Sequence, residues 1–141
     1  MILQKVTRNN RLYNPNSGEH FYAEKLDEKN HLVSLGWKCE GIAWTSLVKS
    51  DYQVYTLYNP NAGDYHYPMN KQERDILVTA GWQYEGISLY SFPANQGIKV
   101  YREYNPNAKA GSHNYTPNKN EHDHLTSIGW KDEGIAWYGL K

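Results

Sequence analysis

The sequence predicts a β-rich α+β fold. The expected arrangement is a pseudo-threefold ring of three strand-turn-strand-helix-strand repeats, propeller-like with three blades; a β-trefoil-like arrangement is the alternative. Three observations predict it. One motif recurs three times along 141 residues. Its repeat of about 45 residues is close to the lower limit for folding alone, so the copies need a shared core. Each copy also carries turn, helix-start and helix-stop signals in the same order.

Copy one reads Tyr13-Asn14-Pro15-Asn16-Ser17-Gly18, then His20 and Tyr22, Leu32, Gly36-Trp37 and Glu40-Gly41-Ile42. Copy two has Tyr58-Asn59-Pro60-Asn61-Ala62-Gly63, Tyr67, Leu77, Gly81-Trp82 and Glu85-Gly86-Ile87. Copy three has Tyr104-Asn105-Pro106-Asn107, Gly111, Tyr115, Leu125, Gly129-Trp130 and Glu133-Gly134-Ile135. Pro15, Pro60 and Pro106 stand 45 and 46 residues apart. The expected organisation is one domain of three repeats, about 1–48, 49–94 and 95–141.

Each repeat opens on a strand that feeds the Asn-Pro-Asn turn. Val54-Tyr55 and Val100-Tyr101 suit it, but copy one has Asn9-Asn10 there. Its first strand is therefore expected to be weaker, or to come from Ile2 to Val6. The turn has a mechanism. Proline presets φ, asparagine bonds its own backbone, and Gly18 and Gly63 close the exit. Two residues are inserted in copy three, predicting a longer, more mobile loop at Asn107 to Gly111.

A short helix follows. Asn70 and Asn118 precede Glu73 and Glu121 by three residues, the spacing of a capping box. Lys25 occupies that place in copy one and predicts a less sharp start. Gly36, Gly81 and Gly129 sit where a left-handed residue ends a helix. Leu32, Leu77 and Leu125 and Trp37, Trp82 and Trp130 then fall at the contact positions of a Schellman ending, so all nine residues read as structural.

Glu40, Glu85 and Glu133 open the last strand of each repeat. Strict alternation would put Glu40, Ile42 and Trp44 on one apolar side and leave Tyr90 and Tyr138 pointing outward. A glutamate on that side reads as a buried structural anchor, bonded to a turn amide, a tyrosine hydroxyl or the repeat histidine.

Lys plus Arg and Asp plus Glu both number 15, and no basic face is evident, which argues against a nucleic-acid partner. The single cysteine, Cys39, aligns with Tyr84 and Asp132, so neither a disulfide nor a thiol nucleophile is expected. No apolar run is long enough for a membrane span. The first residues do not resemble a signal peptide, and the expectation is a module of a larger protein.

The chain is rich in aromatics with polar tips: 13 Tyr and 5 Trp. Such residues suit binding surfaces, and they also suit the core of a small repeat protein. The candidate ligand-binding residues are Tyr13, His20 and Tyr22; Tyr58, His66 and Tyr67; Tyr104, His113 and Tyr115; and Tyr90 and Tyr138. An imidazole and the neighbouring Glu19 or Asp64 would hydrogen-bond sugar hydroxyls while a ring packs on the sugar face. The competing reading gives the histidines to the glutamate anchors.

Glu121-His122-Asp123-His124 reads as a solvated helix face, because His122 and His124 do not share a side. No metal or cofactor is expected. The carboxylates repeat with the copies, whereas a glycosidase needs one asymmetric acid pair, so no catalytic residue is assigned.

These spaced motifs resemble the DUF5648 repeat over nearly all of residues 9 to 139. The resemblance implies a module like those at the C-termini of secreted hydrolases and wall-associated proteins of Gram-positive bacteria and their phages. It implies surface targeting, with a cell-wall glycan or other surface polysaccharide as partner, and brings no established catalytic residue. The resulting expectation is a non-catalytic, multivalent carbohydrate-binding module, monomeric, and secreted or displayed within a larger protein. A protein-interaction scaffold is the alternative, and a small glycan hydrolase is the weakest reading.

Overall fold

The structure is a computed structural model and describes residues 5–108 and 112–140. The expectations for Ile2 and for the inserted loop around Lys109 to Gly111 lie outside the described residues. Each copy forms two strands, a helix and a third strand. Copy one supplies β1 (Val6–Tyr13), β2 (His20–Ala23), α1 (Leu26–Ser34) and β3 (Lys38–Leu47). Copy two supplies β4 (Gln53–Asn59), β5 (Asp64–His66), α2 (Lys71–Thr79) and β6 (Gln83–Tyr90). Copy three supplies β7 (Ile98–Tyr104), β8 (His113–Thr116), α3 (Lys119–Ser127) and β9 (Lys131–Gly139).

The strands form two antiparallel sheets. One of the two is a strongly curled half-barrel, and the larger has six strands in the order β2-β1-β3-β6-β4-β5. The other has the order β8-β7-β9. Within every copy the first strand is central, flanked by the second and third. The copies touch through the ends of their third strands. Leu47 pairs with Tyr90, and Thr45 bridges Leu140. The Phe92 amide donates to the Tyr138 carbonyl at 2.9 Å.

The turns follow the local rules. In each, the Asn14, Asn59 or Asn105 side chain accepts from the amide two residues on, at 2.9, 3.0 and 3.0 Å. The helices end as the spacing predicts. Trp37, Trp82 and Trp130 amides donate to Leu32, Leu77 and Leu125 carbonyls at 3.0–3.1 Å. Gly36 takes φ +102°, a conformation that costs an L side chain about 1–2 kcal/mol.

The helix starts are half of what the capping-box spacing implies. Asn70 accepts from the Gln72 and Glu73 amides, and Asn118 from those of Asn120 and Glu121. The carboxylates go elsewhere: Glu121 turns to Arg11 of copy one, and Glu73 to His66 of its own copy and Arg102 of copy three. Lys25 provides no side-chain cap. Asn70→Ala should therefore lower stability by about 1 kcal/mol, and Lys25→Ala should leave it within about 0.5 kcal/mol. Urea denaturation of both variants measures the difference.

Two expectations about strands are corrected. Copy one does not start weakly: β1 has eight residues, and Asn9 sits in it at 1 % exposure. Its side chain is satisfied by the Ser46 hydroxyl at 2.9 Å, so a polar residue holds this strand place. The third strands do not alternate strictly. Asn10 faces Ile42 while Leu12 faces Cys39, so Glu40-Gly41 bulge opposite Arg11. A second bulge at Ala43 follows, since Asn9 faces Trp44. The same pair of shifts recurs in β6 and β9. As a result Ile42, Ile87 and Ile135 are exposed while Trp44, Leu89 and Trp137 are buried.

The core is aromatic. Tyr22, Tyr67 and Tyr115 meet edge-to-face with centroids 5.5–5.6 Å apart, covered by Trp44 and Trp137. The hydroxyls of Tyr22 and Tyr115 satisfy buried backbone, while that of Tyr67 has no hydrogen-bond partner among the described residues. The Tyr115 amide donates to the Tyr22 hydroxyl at 3.1 Å, and the Tyr67 amide to the Tyr115 hydroxyl at 3.0 Å. These three tyrosines were candidates for ligand contact. They are 1–4 % exposed and present no face to solvent, because their rings pack on one another inside.

Candidate functional site

The polar side chains converge in the grooves between neighbouring copies. The bulge explains why. Opposing Glu40 and Gly41 to the single residue Arg11 brings the Glu40 carboxylate beside the guanidinium; Gly41 takes φ +94° to allow it. Arg11 Nε lies 2.8 Å from Glu40 Oε1. Its two terminal nitrogens hold Glu121 of α3 at 2.7 and 3.1 Å. Asn114 of β8 accepts from Arg11 and donates to Glu121 at 2.8 Å. Burial alone would lower the Arg11 pKa; the bonds and charge of Glu121 and Glu40 reverse that and raise it. Burial likewise opposes ionisation of Glu121, but Arg11 holds its pKa below the ordinary value. The groove beside this clamp encloses about 890 Å³ and is rimmed by Arg8, Asn118 and Asn120.

Arg102 repeats the arrangement between copies two and three. Its Nε lies 2.9 Å from Glu133 and a terminal nitrogen lies 3.3 Å from Glu73 of α2. Here His66 takes the place of Asn114. Its Nε2 is 2.9 Å from Glu73, and its Nδ1 is 2.7 Å from the Tyr115 hydroxyl. A proton on Nε2 satisfies both contacts, so Tyr115 donates to Nδ1. Burial lowers the His66 pKa, which keeps the ring neutral near pH 7. The hydrogen bond from His66, with Arg102 behind it, takes Glu73 down to about 2. At 2 % exposure His66 is part of the core rather than a surface contact, a correction to its place among the ligand residues.

The repeat histidines serve the glutamates. His20 Nε2 lies 3.4 Å from Glu40 and His113 Nε2 lies 3.2 Å from Glu133. The glutamates are not buried anchors, however. Glu40 and Glu133 side chains are 35 % and 28 % exposed, and each is shared between an arginine and the repeat histidine. Glu85, whose copy has Tyr65 in the histidine position, is exposed.

Tyr13, Tyr58 and Tyr104 stay half-buried. Each leans on the residue across its turn: His20 at 5.2 Å, Tyr65 at 4.9 Å and His113 at 5.1 Å between centroids. Tyr90 and Tyr138 are half-buried rather than fully outward, being drawn into the contacts between third strands. Glu19 and Asp64 are 7 % and 4 % exposed, so neither carboxylate is placed to meet a sugar. The Ser112 hydroxyl donates to Asp64.

The acid-histidine run of α3 separates. Glu121 goes to Arg11, and His122 turns inward to Glu103 and the Tyr101 ring. Among the described residues no group of three or more His, Cys, Asp or Glu is arranged to hold a metal.

A family description, "Domain of unknown function (DUF5648)", matches residues 9–140. The chain belongs to the DUF5648 family. No curated protein and no solved structure matches it. In this DUF5648 chain the guanidinium clamps were missed at the sequence level, although the signal was there. Arg11, Thr56 and Arg102 occupy one column of the repeat, two residues before the turn tyrosine. Among the described residues no helix is long and apolar enough to cross a membrane.

Proposed function

We propose that this chain is a non-catalytic carbohydrate-binding module that attaches a larger secreted or surface protein to a cell-wall glycan. The reading takes the three copies, about 1–48, 49–94 and 95–141, as blades of one closed pseudo-threefold ring acting as a monomer. It extends to wall-associated proteins of Gram-positive bacteria or their phages, the setting that the repeat pattern resembles. The observation that carries it is the half-buried aromatic pair across each turn: Tyr13 with His20, Tyr58 with Tyr65, Tyr104 with His113. In copies one and three, a half-exposed ring and a histidine beside a glutamate and its arginine offer what a sugar needs, an apolar face with directional hydrogen bonds around it.

At the two arginine clamps the charge pattern favours binding over hydrolysis. A glycosidase requires a carboxylic acid held protonated beside the bond to be cut. Glu73, Glu121 and Glu133 all have lowered pKa values and stay ionised. Related weak sites on one polymer gain strength from effective concentration.

A protein-interaction scaffold is the second reading. Ile42, Ile87 and Ile135, exposed at 54, 43 and 43 %, favour it, since each bulge displays an aliphatic side chain.

A pull-down on purified walls stripped of protein separates the two. Under the glycan reading the chain is retained. Tyr13→Ala, Tyr58→Ala and Tyr104→Ala, with folding checked by circular dichroism, each weaken retention by about 3- to 10-fold. The triple variant loses it. Absence of retention on every protein-free glycan, with capture of one surface protein, would replace this reading by the second.

A further inference from the structure

The third groove, between copies one and two, lacks its cation. Two copies place an arginine between the helix glutamate of the preceding copy and their own bulge glutamate: Arg11 between Glu121 and Glu40, Arg102 between Glu73 and Glu133. Copy two keeps both glutamates, Glu28 on α1 and Glu85 at the bulge, but has Thr56 where the arginine belongs. It has also replaced the polar helper. The position of Asn114 and His66 is Phe21 in copy one, whose ring packs edge-on against Tyr65 at 5.1 Å.

Shortening arginine to threonine leaves space. A cleft of about 450 Å³ opens there, with Glu24, Glu28, Thr56, Tyr65 and Glu85 in its lining. Three carboxylates face one ammonium, that of Lys25 at the rim. Lys25 draws down the pKa of Glu24 and Glu28, yet burial dominates and leaves both raised. Burial, followed by the charge of Glu85, pushes the Tyr65 phenol up to about 12, with Glu28 adding to it.

We propose that the cleft at Glu28, Thr56 and Glu85 binds a guanidinium group supplied from outside, such as an arginine side chain of a partner peptide. The argument does not rest on the acidic residues alone. The aligned glutamates hold a guanidinium twice in this same structure, and one of those clamps is bidentate. The Phe21 and Tyr65 rings give the flat cation a surface on which to stack. This inference stands apart from the glycan reading, which uses the turn tyrosines.

The test is an NMR amide titration of the full chain with N-acetyl-arginine amide, against N-acetyl-glutamine amide as the neutral control. The expected result is saturable shifts at residues 24–28, 56 and 85 with the arginine probe alone. The Glu28→Gln, Glu85→Gln double variant should bind at least tenfold more weakly. Thr56→Arg should fill the cleft, abolish the shifts and raise the melting temperature. Shifts that match the neutral probe, that fall at Glu73 or Glu121 instead, or that survive both variants would overturn the proposal. Loss of wall retention leaves these readouts untouched, so the two readings fail separately.

Discussion

Trp137→Ala should cost about 3–5 kcal/mol, a large share of the 5–15 kcal/mol that holds a domain of this size together. Trp137 is fully buried, stacks on Tyr115 at 4.9 Å and meets Trp44 edge-on at 5.2 Å. Its indole nitrogen has no hydrogen-bond partner among the described residues. The loss is therefore one of packing rather than of a bond, and Trp137→Phe should cost much less. The effect should not stay within copy three. Tyr115 hydroxyl accepts the Tyr67 amide, and Tyr22 hydroxyl accepts the Tyr115 amide, so a cavity beside Tyr115 loosens polar contacts in all three copies. Urea denaturation should show a lower midpoint in one cooperative transition. Ile87→Ala, at an exposed bulge position, serves as control and should stay within about 0.5 kcal/mol. A small effect of Trp137→Ala, or a separate early transition for copy three, would mean that the copies do not share this core.

What the sequence made legible divides by the range of the interaction. The Leu-Gly-Trp helix ending depends on hydrogen bonds spanning five residues, and the Asn-Pro-Asn turn on bonds spanning two to four. Both could be read from one copy alone. The bulges could not. Whether Glu40-Gly41 opposes one residue or two is decided across the strand pair by Arg11. Once two bulges enter, Ile42 and Trp44 part to opposite sides although alternation would join them. The tyrosines mark a second limit. An identical residue at positions 22, 67 and 115 is what three surface sites would need, and also what three side chains meeting in one core would need. Their partners lie 48 and 93 residues away along the chain, and only the packing of the copies against one another decides between the two. The capping glutamates mark a third. Glu73 and Glu121 have the right local spacing, but His66 and Arg102 for the one, and Arg11 for the other, are stronger partners than a backbone amide.

Glu19→Gln should stabilise the protein above pH 7 and do little below pH 4.5. Glu19 is 7 % exposed. Burial, and then the nearby Asp64 carboxylate, raise its pKa to about 7, while a bond with Ser17 works weakly against the rise. The sign follows from linkage. In the unfolded chain Glu19 titrates near 4.5, so below that pH the group is protonated in both states and the wild type carries no penalty. Between 4.5 and 7 the folded protein keeps a proton that the unfolded chain has released, and stability falls as pH rises. Above 7 the folded protein holds a buried anion beside Asp64, and the loss is complete. A folded pKa of about 7 against 4.5 corresponds to about 3 kcal/mol. Glutamine keeps the shape and removes the charge, so its advantage over wild type should grow from near zero at pH 4.5 to that amount at pH 8–9. His66 and Glu73 also impose a pH dependence, through their lowered pKa values, but on the acid side and in both proteins alike. Subtracting the two stability curves removes them. Parallel curves from pH 4 to 9, or a variant less stable than wild type at pH 8, would show that Glu19 is ionised in the fold and satisfied there.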